Sequence, residues 1–199
     1  MHIIGILGGV ASGKSLIARQ LAELGAGVLD ADRAGHDVLR LAHIVGAARQ
    51  RWGDAVVGAD GLINRKQLAR IVFAPPPQGP KERTFLEHLT HPEIGRTLQQ
   101  QAQSMATAGT AVAVLDAALI LEAAWDRLCE AFIFVDAPRP ARLARARARG
   151  WSDDDFAARE GAQESLDFKR GRADVIIDNS GSPDYTRSQV ERYWQSLVG

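Results

Sequence analysis

An α/β fold, a parallel five-stranded sheet flanked by helices, is what the sequence predicts, and three observations predict it. Apolar, β-branched runs recur five times, as "GILGG", "GVLDAD", "AVAVLDA", "AFIFVDAP" and "DVIIDN". Their hydrophobicity is continuous rather than alternating, which marks strands covered on both faces. The stretches between them carry helical patterns long enough for crossovers. Ligands bind such sheets outside the carboxyl ends of the strands. Several of the runs end in an acidic residue, so these carboxylates are expected to face a site.

The strongest signal lies in the first strand and the loop and helix after it. The opening stretch "HIIGILGGVASGKSLIARQLAELG" contains Gly8-Gly9-Val10-Ala11-Ser12-Gly13-Lys14-Ser15, which fits G-x-x-x-x-G-K-[ST]. A buried strand precedes the octet and a helix comes next, with Ile17, Leu21 and Leu24 on one face and Gly25 placed to end it. Glycines 8, 9 and 13 let the backbone bring its N–H groups close to phosphate oxygens, and the helix N-terminus adds positive potential. Lys14 is placed for the β- and γ-phosphates and the Ser15 hydroxyl for Mg²⁺. A loop of this kind serves a switch, a motor, a nucleic-acid ATPase or a small-molecule kinase, and the octet alone leaves these open.

Bulk properties narrow the class. A chain of 199 residues forms one compact domain with room for an inserted subdomain. Lys plus Arg and Asp plus Glu both total 24, and this zero balance argues against a nucleic-acid binder. The single Cys129 has no internal disulfide partner, and no Cys/His cluster suggests zinc. The N-terminus reads as a core strand rather than a signal peptide, and no apolar run has membrane-spanning length. A cytoplasmic protein with no membrane and no nucleic-acid partner is expected.

The second run closes on Asp30-Ala31-Asp32. In an extended segment both carboxylates point the same way, one to orient an attacking hydroxyl and one to partner a metal; the alternative is that Asp32 caps a helix starting at Arg33. Residues 60–108 show no strand signal. Asn64-x-x-Gln67 caps a helix reaching Phe73, "APPPQGP" breaks it, and a long polar helix comes after, with Pro92 expected to kink or split it. This is a helical insert beside the sheet. Asp116 closes the third run as a Walker-B acid does, or as a turn residue at a strand end.

After the fourth run, Arg142, Arg145 and Arg149 fall on one helix face, with Arg139 near the same stripe. Such a row is a solvated face, a nucleic-acid footprint or a phosphate-clamping lid. The phosphate loop upstream favours the lid, because arginine matches phosphate oxygens with a planar fork. Ser152-x-x-Asp155 forms a capping box, and Ser182-Pro183-Asp184 opens the last helix.

Taken together, these motifs resemble the dephospho-coenzyme A kinase family. The shared features are the Gly-Gly-x-x-Ser-Gly-Lys-Ser loop, the "DAD", "DGLINRKQLARIVF", His91-Pro92-Glu93-Ile94 and "QESLDFKRGRADVIIDNSG". The resemblance spans nearly the whole chain and implies a P-loop kinase fold. It also implies transfer of the γ-phosphate of ATP, with Mg²⁺, to the ribose 3′-hydroxyl of dephospho-coenzyme A, the final step of coenzyme A synthesis. A nucleotide-binding core over 1–59, 109–137 and 173–199 would carry an acceptor-binding insert at 60–108 and a lid at 138–172.

By matching position, Asp32 is the catalytic base and an acceptor contact, and Lys14, Arg145 and Arg149 are the other catalytic groups. Gly9, Val10, Ala11, Ser12, Gly13, Lys14, Ser15 and Leu16, with Asn179 against the adenine, bind the nucleotide. His91 and Glu122 serve the acceptor, and Ser15 and Asp116 the metal. The chain departs from the family at Leu7, where Thr is usual. Ala118-Leu119-Ile120-Leu121-Glu122 stands where the family has "PLL-[FY]-E", and Gly150-Trp151 where an acidic residue is common. A monomer or small homo-oligomer is expected.

Overall fold

The computed structural model describes residues 1–199. Five strands form one parallel sheet: β1 (His2–Gly8), β2 (Gly27–Asp30), β3 (Val112–Asp116), β4 (Ala131–Asp136) and β5 (Val175–Asp178). Their spatial order is β2-β3-β1-β4-β5, which puts β1 at the centre. β1 pairs with β3 from His2↔Val112 to Gly5↔Leu115 and with β4 from Ile4↔Ala131 to Gly8↔Val135. The three inner strands are buried on both faces, the reason their sequences read as unbroken apolar runs. The edge strand β5 leaves Ile176 half exposed.

One face of the sheet is covered by α1 (Lys14–Glu23) and α9 (Pro183–Val198). Ile4, Ile6, Ile17, Leu21, Val112, Val114, Ile133, Val135, Ile177 and Val190 form the core there. Burying each such side chain contributes about 1.5–3 kcal/mol. Between β4 and β5 lie α6 (Arg139–Ala148), α7 (Asp153–Gly161) and α8 (Leu166–Gly171). Ser152 and Asp155 make the reciprocal capping box expected for α7, and Ser182 accepts from the Tyr185 amide at the start of α9.

The chain divides into two compact units, Met1–Asp30 with Gln101–Gly199, and Ala31–Gln100. The second holds α2 (Ala31–Val38), α3 (Ala42–Trp52), a 3-10 turn (Asp54–Val56), α4 (Arg65–Val72) and most of α5 (Gln78–Thr107). It is larger than the 60–108 segment read from the sequence. The reason lies in α2 and α3, which bury Ala34, Val38, Ile44 and Ala48, with Gly35 packed beside Ile94 of α5. Residues 138–172 fall in the same compact unit as the sheet.

Two local expectations change. Of the expected kink or split at Pro92, the split does not occur, since α5 continues through it as one helix. The lost donor removes one helical hydrogen bond, but Ile94 and Leu98 just beyond it are buried and hold the helix in register. The "DAD" segment is not extended throughout, because β2 ends at Asp30 and α2 begins at Ala31. Asp32 is the second helical residue, so the argument that it shares a strand face with Asp30 does not apply, and the helix does not begin at Arg33.

At the end of α1 the chain turns at Gly25, whose φ is 114°. The Gly25 amide donates to Ala22 (3.0 Å) and the Ala26 amide to Leu21 (3.0 Å), the paired bonds of a Schellman motif. Nothing crowds the position, since a Cβ would meet only Trp194 at 3.7 Å. Gly25→Ala should therefore cost about 1 kcal/mol from backbone conformation alone and lower Tm by about 2–4 °C. Calorimetry checks this, and an unchanged Tm would refute the strain.

Candidate active site

The glycine-rich octet leaves the carboxyl end of the central strand β1 and re-enters structure as α1. Its backbone adopts left-handed conformations at Ala11 (φ 57°) and Gly13 (φ 108°). A Cβ on Gly13 would lie 2.2 Å from Asn179 Nδ2, so only glycine fits there. A loop that turns N–H groups toward an anion turns carbonyls away from it, and a buried carbonyl needs a donor.

Four side chains supply those donors. Lys14 Nζ donates to the Gly8 and Gly9 carbonyls at 3.2 and 3.1 Å. Arg142 Nη1 donates to the Val10 carbonyl at 3.3 Å. The Ser12 carbonyl accepts from Arg145 Nη1 at 2.9 Å and from Asn179 Nδ2 at 2.7 Å. Arg145 Nη2 also reaches the Asn179 carbonyl at 2.6 Å. Asn179 is itself held, its backbone N–H donating to the Asp136 carbonyl and its Oδ1 accepting from Thr186 Oγ1.

Burial dominates the electrostatics of the loop. Lys14 has its pKa lowered to about 8, by loss of water first and by the Lys169 charge second, against the pull of Asp116 and Glu122. Lys169 is a buried cation, its Nζ 3.2 Å from Glu122 Oε1 and 3.1 Å from Gln163 Oε1. Glu122 Oε1 also accepts from the Glu164 amide at 2.8 Å. Two polar atoms remain buried without a partner here, Ser12 Oγ in the loop and Glu122 Oε2. An anion arriving at the loop would raise the pKa of Lys14 again and offer acceptors to Ser12.

Gly9, Val10, Ala11, Ser12, Gly13, Lys14, Ser15 and Leu16 thus fall on one turn, with Ser15 at its rim. Asp30 and Asp116 are register partners at the ends of β2 and β3. Not every strand-end acid faces a site. Asp136 pairs with Arg170, and Asp178 Oδ1 accepts from the Ser180 amide at 2.8 Å. Arg149 is exposed at the end of α6, and Arg147 makes a surface fork with Asp153.

Asp32 and His91 belong to the helical unit. Asp32 lies in the first turn of α2. His91 is half-buried in α5, and loss of water lowers its pKa against the opposing charge of Glu87. Lys169 is a site residue that motif and spacing do not single out. Its only signal in the sequence is the "KR" of the "QESLDFKRGRAD" stretch.

No group of three or more His, Cys, Asp or Glu side chains forms a cage for a metal. A hydroxyl and one or two carboxylates beside a phosphate loop suit Mg²⁺, which keeps waters and takes phosphate oxygens rather than a full protein cage. Ser15, exposed near the start of α1, and Asp116, at the carboxyl end of β3, are of the chemical type that would supply those ligands.

Comparison with known proteins decides the family. The family model for dephospho-CoA kinase matches residues 2–184. The chain belongs to the dephospho-CoA kinase family. A dephospho-CoA kinase of Symbiobacterium thermophilum is 40% identical over 100% of this chain and 82% of its own length. One of Carboxydothermus hydrogenoformans is 39% identical over 96% and 91%. A solved structure, TT1252 from Thermus thermophilus, superposes with a TM-score of 0.81 at 31% identity, covering 100% of this chain and 98% of that one. As a dephospho-CoA kinase family member the chain is a phosphotransferase of P-loop fold, and the kinase family uses ATP. No helix is long and apolar enough to cross a membrane.

The Asn179 contact isolates one donor. Asn179→Asp keeps the acceptor for Thr186 but replaces the donor to Ser12 with a repelling oxygen. ATP affinity, read by titration calorimetry, should fall about tenfold or more. Unchanged affinity would show that the Ser12 carbonyl does not need this donor.

Proposed function

We propose that this chain transfers the γ-phosphate of ATP to the ribose 3′-hydroxyl of dephospho-coenzyme A. The observation that carries the reading is a braced phosphate loop with a lowered Lys14 pKa, on a chain that matches the family almost end to end. The 3′-oxygen attacks Pγ as the bond from Pγ to the ADP oxygen breaks, and the hydroxyl proton passes to Asp32.

Asp32 takes this role by matching position, as the acidic residue of the first turn after β2. Lys14 stabilises the charge shifting onto the β- and γ-phosphate oxygens. Arg145 stands one bond away from the loop, on the Ser12 carbonyl, and Arg149 is exposed and able to approach the phosphates from solvent. Mg²⁺, held by Ser15 and by Asp116 through water, would neutralise the phosphate chain. The segment around Asn179 lies against the adenine, although its side-chain amide is already engaged by Ser12 and Thr186. The helical segment with His91 receives the acceptor. Glu122 contributes through Oε2, since Oε1 is held by Lys169 and the Glu164 amide.

A coupled assay of ADP release tests the reading, with dephospho-coenzyme A set against nucleoside monophosphates, shikimate and gluconate. Dephospho-coenzyme A should be the preferred acceptor, and product mass and NMR should show one phosphate added at the 3′ position. Preference for another acceptor, or none, would overturn it. Asp32→Asn should lower kcat by about 10²–10⁴-fold with ATP affinity kept within a few-fold. Lys14→Ala should lose about 3–4 kcal/mol of transition-state stabilisation, measured as kcat/KM. Near-normal turnover in either variant would remove that residue from its role.

A further inference from the structure

Arg142 sits in the arginine row that reads from sequence as a phosphate clamp, yet its side chain is only 3% exposed. Each arm of its guanidinium is engaged. Nε donates to the Ala137 carbonyl at 3.1 Å, where β4 passes into α6. Nη1 donates to the Val10 carbonyl, and Nη2 lies 2.7 Å from Glu160 Oε1 on α7. The ring of the fully buried Phe156 lies 5.6 Å from the guanidinium carbon. Glu160 is in turn fixed by Arg139 at 2.9 Å. A side chain bound on three edges and packed on an aromatic ring is not a mobile finger.

Its contact with the loop is also steric. A Cβ on Gly9 would fall 2.8 Å from Nη1 and 3.0 Å from the guanidinium carbon, so the plane lies directly against the loop backbone. Gly9 therefore gives room to Arg142, and to Leu166 Cδ2 at 3.1 Å from such a Cβ, rather than supplying an unusual φ, since its backbone is not among the left-handed positions. Only a planar fork reaches a strand-end carbonyl, a loop carbonyl and a helix carboxylate at once. Lysine, with one ammonium, cannot span the three.

We propose that Arg142 is a positioning residue for the nucleotide's phosphates: anchored by Glu160, it holds the backbone at Gly9 and Val10 in the shape that receives them. It acts on the phosphates through the loop and does not touch them. α7, through Glu160, thereby becomes part of the support of the phosphate site. The inference rests on the reading that the loop binds ATP, and it adds what keeps the loop in place before ATP arrives.

The test uses the full chain and compares the parent with Arg142→Ala, Arg142→Lys and Glu160→Gln. ATP dissociation constants, KM for ATP, KM for dephospho-coenzyme A and kcat are measured for each. Arg142→Ala should weaken ATP binding about tenfold or more, with KM for ATP rising further than kcat falls and acceptor KM unmoved. Guanidinium at low millimolar concentration should recover part of the ATP affinity of Arg142→Ala, and sodium chloride at equal ionic strength should not. Should the alanine variant fail to fold, Arg142→Lys and Glu160→Gln carry the test, each losing ATP affinity selectively and by less. ATP affinity within twofold of the parent would overturn the proposal. So would a loss shared equally by ATP and acceptor, with no response to guanidinium. A parent that binds no ATP would instead overturn the functional reading on which the proposal stands.

Discussion

A loop that offers its N–H groups to an anion leaves its carbonyls needing donors, and in this chain those donors come from far along the sequence. Val10 is served by Arg142, and Ser12 by both Arg145 and Asn179, at separations of 132, 133 and 167 residues. The sheet makes these meetings possible. β1 lies between β3 and β4, so the loop leaving β1 emerges beside the start of α6, which leaves β4. β5 then brings Asn179 to the next position outward. The strand order, the apolar core beneath it and the bracing of the loop are thus one construction, in which burying the strands delivers the donors.

That construction also sets the charge of the site. Burial disfavours the charged form of Lys14 most, the Lys169 charge adds to this and Arg142 adds least, while Asp116 and Glu122 pull the other way. A site left with excess positive charge and an unpartnered Ser12 hydroxyl stores favourable interaction for a polyanion. The same excess is what a phosphoryl-transfer transition state requires, because charge moves over the phosphate oxygens while little covalent chemistry falls to the protein.

Much of the fold was legible in the sequence because the signals were local. Continuous apolar runs marked the buried strands, and the octet's glycines marked the loop. Ser152, Ser182 and Gly25 marked helix ends through hydrogen bonds made within a few residues. The misreadings were also physical. Pro92 does not split α5, and Ile94 and Leu98 just beyond it are buried. The "DAD" segment carries strand and helix signals at once, and boundaries at such junctions shift by a residue or two. Helical spacing placed Arg142, Arg145 and Arg149 on one face. It could not show that two of them turn inward to carbonyls while the third stays in solvent, since partners more than a hundred residues away leave no mark on spacing. Lys169 was missed because its own spacing carries no mark of the pairing with Glu122 and Gln163 that accompanies its burial.

The central claim is that the phosphate loop is held in its receiving shape by side-chain donors before any nucleotide arrives. Relaxation-dispersion NMR on the backbone amides of residues 8–13 in nucleotide-free protein measures this directly, since it reports microsecond-to-millisecond exchange. The account predicts flat profiles, little changed when ATP is added. Strong exchange in the free protein that ATP quenches would contradict it, by showing that the ligand rather than the bracing side chains shapes the loop.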